Sequence, residues 1–185
     1  MSTLIFIVSL TAGVALVTLS SATLLWPRLQ FWPPPAKDSW QYLTFWWLFR
    51  TMFAGLLILS FLDFSSLGPG ERWRFLIGVP LAVLGFGLAL HITFHMGWRA
   101  AHGDGGQLKT DGWYQWSRNP VYVVSILGMI GAGIVIHSTY VYCLLSIWAL
   151  MYLLAPYLEE PWLEARYGRP YLEYKAQVPR FFGLK

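Results

Sequence analysis

A chain of 185 residues is the length of one domain. It is 56% hydrophobic and only 12% charged, where soluble domains carry about 25% charge, so an ordinary soluble enzyme is excluded and a lipid-facing protein is indicated. The net charge of +4 lies in segments that flank the apolar runs. It reads as attraction to anionic headgroups and gives no support to a nucleic-acid partner.

Residues 1–27 contain no Asp, Glu, Lys or Arg. About 20 apolar residues cross a bilayer core at ~1.5 Å each, which predicts a helix over about 3–26. The run lacks a basic leading segment and is too long for a signal core, so it is expected to stay uncleaved. Pro33-Pro34-Pro35 predicts a stiff connector. A second helix is expected over 40–62, with Arg50 snorkelling or paired internally, and a third over 74–98. His91 and His95 are four residues apart, a metal-compatible spacing. Only His102 offers a third ligand, so a cavity-lining or interfacial role is the plainer reading and no metal site is assigned. Residues 119–158 are free of charge, long enough for two spans, 120–136 and 139–157, turning near Gly131, Gly133, His137 and Ser138. The lone Cys143 excludes a cysteine-based cluster. Pro161 is expected to start a short amphipathic piece that Gly168 ends, and Pro170 to start another. Tyr167, Tyr171 and Tyr174 share one face there, suited to the headgroup level.

The fold class that follows is an all-α integral membrane protein of about five transmembrane helices, the last two a hairpin, with short C-terminal interfacial helices. It forms one domain over 1–185, with three N-terminal membrane helices in 1–98 and a loop, hairpin and tail in 99–185. Ten basic residues lie in the segments after the first, third and fifth helices. Only Arg72 and Arg74 lie on the other side. By the positive-inside rule the N-terminus faces out and the C-terminus faces the cytoplasm, as in a bacterial inner membrane.

An antiparallel hairpin brings its own ends together, so Arg118, Asn119 and Tyr122 should lie near Glu159 and Glu160. Ionisable residues at membrane depth are functional candidates. The bland alternative is an interfacial pair, solvated or bridged to Arg118 or Arg166.

Together, "LKTDGWYQWSRNPVY" and, some 35 residues on, "EEPWLEARYGRPYLEYKAQVPRF" resemble the isoprenylcysteine carboxyl methyltransferases and their phospholipid methyltransferase relatives, in a bacterial-type form. Leu108, Thr110, Gly112, Tyr114, Arg118, Pro120 and Tyr122 fall on the first half of that pattern. Glu159, Glu160, Leu163, Tyr167, Gly168, Tyr171, Tyr174, Val178, Pro179 and Arg180 fall on the second. The resemblance implies an integral-membrane methyltransferase using S-adenosylmethionine at the cytoplasmic end of the hairpin, with a lipophilic or lipid acceptor entering from the bilayer. Leu108, Gly112, Trp113, Tyr114, Arg118, Asn119, Pro120, Tyr122, Glu159, Glu160 and Leu163 would line the cofactor site, and Glu160 and Arg180 would be catalytic. The chemistry agrees. Aromatic faces of Trp113, Tyr114, Trp116 and Tyr122 suit a sulfonium, a glutamate suits the ammonium or ribose, and Arg118 suits the cofactor carboxylate. Asn119 stands where eukaryotic members have His. Gln177 stands where the prenylcysteine enzymes tend to have Arg, which argues against a prenylcysteine carboxylate unless Arg180 substitutes. Membrane sterol reductases, which bind NADPH, carry a segment similar to the first motif, but the glutamate-tyrosine tail is the methyltransferase form. A non-enzymatic membrane scaffold is the third reading.

Overall fold

The computed structural model describes residues 1–68, 71–96 and 108–182, and no strand occurs among them. Five long helices run up and down: α1 Ser2–Leu25, α2 Trp40–Leu62, α3 Arg72–Met96, α4 Pro120–Ile136 and α5 Thr139–Tyr167. A short α6, Arg169–Gln177, completes the tail, and single 3-10 turns occupy Pro27–Leu29 and Gly112–Gln115. Four of the five long helices are long and apolar enough to cross a membrane, and α4 is a shorter apolar helix. At 17 residues α4 is about 25 Å long, slightly under the ~30 Å hydrocarbon core. The chain is an all-α integral membrane protein, as its composition requires.

Lipid tails are as apolar as leucine, so membrane helices gain little from burial against each other and associate by close packing. This chain does it with small residues. A Cβ on Gly85 would lie 2.2 Å from the backbone N of Gly128, and one on Gly131 would lie 2.3 Å from the backbone N of Ala82. Thus α3 and α4 touch backbone to backbone. Gly55 of α2 receives the Ser9 side chain of α1 in the same way. The core proper lies among α1, α2 and α5, where Met52, Leu56, Leu59, Val141 and Leu144 are buried around Trp148.

Two expectations are corrected. The α4–α5 turn does not use Gly131 or Gly133, which are buried within α4. It is made by His137, which ends α4 in the left-handed region (φ 54°, ψ 58°), and by Ser138, whose hydroxyl accepts from the Val141 N–H. The α2–α3 connection is zipped to this turn by Ser65 N–H to Ile136 O at 2.8 Å and by Ser138 Oγ to Asp63 at 2.5 Å. Secondly, no new helix begins at Pro161. Helix α5 runs through both Pro156 and Pro161 to Tyr167, and Gly168 (φ 58°) stops it. Each proline forfeits one backbone hydrogen bond. Glu160 before Pro161 is held by Arg118 and Arg180, and Leu163 after it packs against Tyr171 and Tyr174, which supports the helical turn between them.

Candidate functional site

The polar end of the bundle is assembled from four stretches far apart in sequence. The tail is strapped to the segment before α4 by backbone: Arg118 N–H donates to Pro179 O (2.9 Å), and Asn119 Nδ2 donates to Arg180 O (3.0 Å). Tyr171 and Tyr174 of α6 are buried with Val178 against Leu108, Tyr114, Leu163 and Tyr167. Tyr174 Oη also donates to Tyr114 O at 2.7 Å. These tyrosines therefore dock the tail rather than anchor it in headgroups. Burial raises the Tyr114 and Tyr171 phenols to about 12 and raises Tyr174 further.

The two glutamates that end the membrane portion of α5 face different surroundings, because adjacent helical residues point about 100° apart. Glu160 is 5% exposed and lies among cations. Arg180 donates to it twice, from Nε at 2.7 Å and Nη2 at 2.9 Å. Arg118 Nη2 lies 2.9 Å from it and Lys175 Nζ 3.3 Å. Lys175 also bonds Glu164, and these acids raise its pKa. Arg180 is raised too, first by its hydrogen bonds to Glu160, and its guanidinium lies 3.9 Å from the Tyr157 ring centroid. Glu159 meets neutral donors instead: Tyr122 Oη at 2.7 Å and Trp32 Nε1 at 2.9 Å, both on Oε1.

Beside these acids lies a cavity of about 1750 Å³. Its polar end is lined by Tyr114, Arg118, Asn119, Tyr122, Glu159 and Glu160. Its apolar walls run between α2 on one side and α3–α4 on the other, past Phe53 and Phe86 to Phe61 and Ile136 near the opposite end of the bundle. Arg118 enters with a side chain only 8% exposed, and among the described residues its buried Nε and Nη1 have no hydrogen-bond partner.

Leu108 and Leu163 also line the cavity. Gly112 takes φ 58° at the start of its 3-10 turn, and Pro120 is fully buried as the first residue of α4. Neither lines the cavity, nor do Trp113 and Trp116, which are 37% and 69% exposed. Arg180 lies behind Glu160 rather than in the cavity wall, and Gln177 is exposed on α6. His91 and His95 are exposed, their rings 4.6 Å apart. His102 lies outside the described residues, and among those described no group of three His, Cys, Asp or Glu could hold a metal. Trp32 was not singled out from the sequence. The only signal was a tryptophan beside three prolines, 127 residues from its partner.

A family model described as phospholipid methyltransferase matches residues 73–170, just over half of the chain, from α3 through both glutamates. The chain belongs to the phospholipid methyltransferase family. That family contains the isoprenylcysteine carboxyl methyltransferases, so the resemblance carried by the two motifs stands. No curated protein and no solved structure matches the chain. Membership makes this protein a membrane methyltransferase, and the matched segment contains the loop motif, the hairpin and the glutamate pair. Helix α2 and the connector before it, which supply one cavity wall and Trp32, lie outside it, as does α1.

Proposed function

We propose that the whole chain is a single S-adenosylmethionine-dependent methyltransferase domain acting on a lipophilic acceptor that enters its cavity from the bilayer. The observation that carries this reading is the continuity of one cavity from an arginine-bearing polar end to walls of aromatic and aliphatic side chains along the membrane. A polar cofactor and an apolar acceptor meet only where such a space joins water to lipid.

The residues fit the cofactor. Among the described residues the buried Arg118 guanidinium has no partner on Nε or Nη1, which is costly alone and suits a carboxylate, the group an arginine fork grips. Arg118 would hold the amino-acid carboxylate, and the aromatic faces of Tyr114 and Tyr122 would flank the sulfonium. The cofactor supplies an electrophilic methyl group. The chain aligns the acceptor with it, and alignment alone is worth up to about 7–11 kcal/mol of a barrier. Apolar walls exclude water from the transfer and strengthen the charged contacts. Glu160 and Arg180 serve as the brace that fixes Arg118, joining the loop before α4 to the tail. We place this end of the bundle at the cytoplasmic face, because a charged cofactor does not cross lipid and the basic residues gather there.

In detergent, S-adenosylmethionine is expected to raise the melting temperature and NADPH to leave it unchanged, since a ligand that binds only the folded state stabilises it. Arg118→Lys keeps a cation beside Glu160 but loses the fork. It should weaken cofactor affinity about 10- to 150-fold, the worth of a charge-assisted contact. Stabilisation by NADPH alone would place the protein with the reductases.

A further inference from the structure

Arg50 is the one charged residue inside α2. It lies ten residues, about 15 Å, beyond the helix start at Trp40. Neither fate expected for it from the sequence is met. Its guanidinium does not reach the end of the helix. It lies over the Trp46 ring, 5.8 Å from the centroid, and Trp46 is fixed edge-on against Phe45 and Phe49. Nor is it paired internally: among the described residues it has no ion pair and no side-chain hydrogen bond. An arginine left uncompensated in the middle of a span is costly.

Its place on α2 is at the lip of the cavity. Trp46, Phe53 and Leu57, at i−4, i+3 and i+7 from Arg50, all line the cavity, so Arg50 shares their side of the helix. Arg50 itself is exposed. Leu57 and Phe61 of α2 and Leu90 of α3 line the cavity and are exposed as well. The space therefore opens sideways between α2 and α3, and Arg50 stands on the α2 edge of that opening. Helical side chains lean toward the N-terminus of their helix, so the guanidinium points along the opening toward the end of the bundle that holds the glutamates.

From this arrangement we infer that Arg50 is a phosphate-binding site for an anionic lipid lying across the lateral opening. Helices α2, α3 and α4 contain no Asp or Glu, so the walls of the opening offer no counterion. Helix α1 contains none either, and the acids of α5 all stand at its end, from Glu159 onward. A second copy packed alongside would thus bring no carboxylate to this depth. A free hydrated anion does not enter hydrocarbon, whereas a lipid carries its phosphate in on its own chains. The direction fits. A lipid of the nearer leaflet has its phosphate toward the glutamate end and its chains toward mid-bilayer, where Leu57 and Phe61 follow Arg50 along α2. A guanidinium holds phosphate through paired N–H groups, and cationic pockets between membrane helices are suited to anionic headgroups. The bound lipid completes the cavity wall that α2 and α3 leave open.

The test uses the full-length protein in a non-ionic detergent and needs no cofactor, so its outcome is independent of the methyltransferase reading. Dioleoylphosphatidylglycerol, dioleoylglycerol and inorganic phosphate are titrated and melting shifts are read. The phosphatidylglycerol should stabilise the wild type, the diacylglycerol with the same chains should do so far less, and inorganic phosphate should give no shift. Arg50→Leu should lose about 10- to 150-fold in affinity for the phosphatidylglycerol, and Arg50→Lys should recover part of it. Without lipid, Arg50→Leu should melt no lower than the wild type, because it removes an unpaired charge. Arg169→Gln, on the exposed face of α6 where Arg169 pairs with Glu173, should keep the full lipid shift. Equal shifts from phosphatidylglycerol and diacylglycerol, or a phosphatidylglycerol shift unchanged in Arg50→Leu, overturn the inference. So does an equal loss in Arg169→Gln, which would reduce the effect to general surface attraction. A lower melting temperature of lipid-free Arg50→Leu would show an internal partner and also overturn it. A shift with inorganic phosphate that Arg50→Leu abolishes refutes the lipid as occupant.

Discussion

Glu160 is one residue on which three cations converge, and its removal should be read first as a structural event. Replacing it by alanine leaves Arg118 buried with its charge uncompensated, and breaking such a pair typically costs about 3–5 kcal/mol. Glu160→Ala is therefore expected to lower the melting temperature strongly and to free the tail to proteolysis. Glu173→Gln, on the exposed face of α6, should stay within about 0.5 kcal/mol. The docking tyrosines give a second handle. Their folded pKa values are raised above the ordinary 10.0, to about 12 for Tyr114 and Tyr171. The folded state therefore holds protons that the unfolded chain releases above pH 10. The stabilisation is complete below pH 10 and is lost as pH rises through about 12. Alkaline titration followed by tyrosinate absorbance should show the tail undocking in that window, and a flat stability curve from pH 9 to 12 would contradict the burial. The sequence named both glutamates and Arg118 because charge at the end of an apolar run is conspicuous, and Arg180 only through the resemblance of the tail motif. It left their roles open, since two adjacent acids are distinguished only by what lies on each side of the helix. Trp32 was illegible for a related reason: its partner is reached only through the packing of a loop.

At the scale of elements, helix positions were readable from charge-free runs and bilayer length, and the boundaries of α2 and α4 agree with the expected ones. Gly131 and Gly133 misled, because glycine marks turns in soluble chains and close helix packing in lipid. Pro161 misled in the same way, since a proline start signal is overridden when neighbouring side chains hold the turn. The α3–α4 contact makes a prediction of its own. Gly85→Ala puts a methyl group against the Gly128 backbone, which has no rotamer to move away, and overpacking of this kind costs about 1–3 kcal/mol. Gly87→Ala, where a Cβ meets nothing within 4 Å, is the matched control and should be neutral or slightly stabilising by helix propensity. Equal melting temperatures for the two variants would show that α3 and α4 do not meet as described.

For the whole molecule, five antiparallel helices place the connector after α1, the segment before α4 and the tail at one end of the bundle, and the 63–68 turn at the other. With the basic residues concentrated at the first end, reporter fusions at Lys185 and after Gly68 should read cytoplasmic and external, respectively. The opposite result would reverse the proposed orientation. On the proposed reading one end of the bundle takes a charged cofactor and the cavity takes a lipophilic acceptor, so its central consequence is transfer of a methyl group into the lipid phase. The most direct measurement incubates the purified protein with methyl-labelled S-adenosylmethionine and lipids extracted from membranes, then partitions the label. The account predicts label in the organic phase from the wild type and a large loss in Arg118→Lys. Cofactor binding with label confined to the aqueous phase would contradict it.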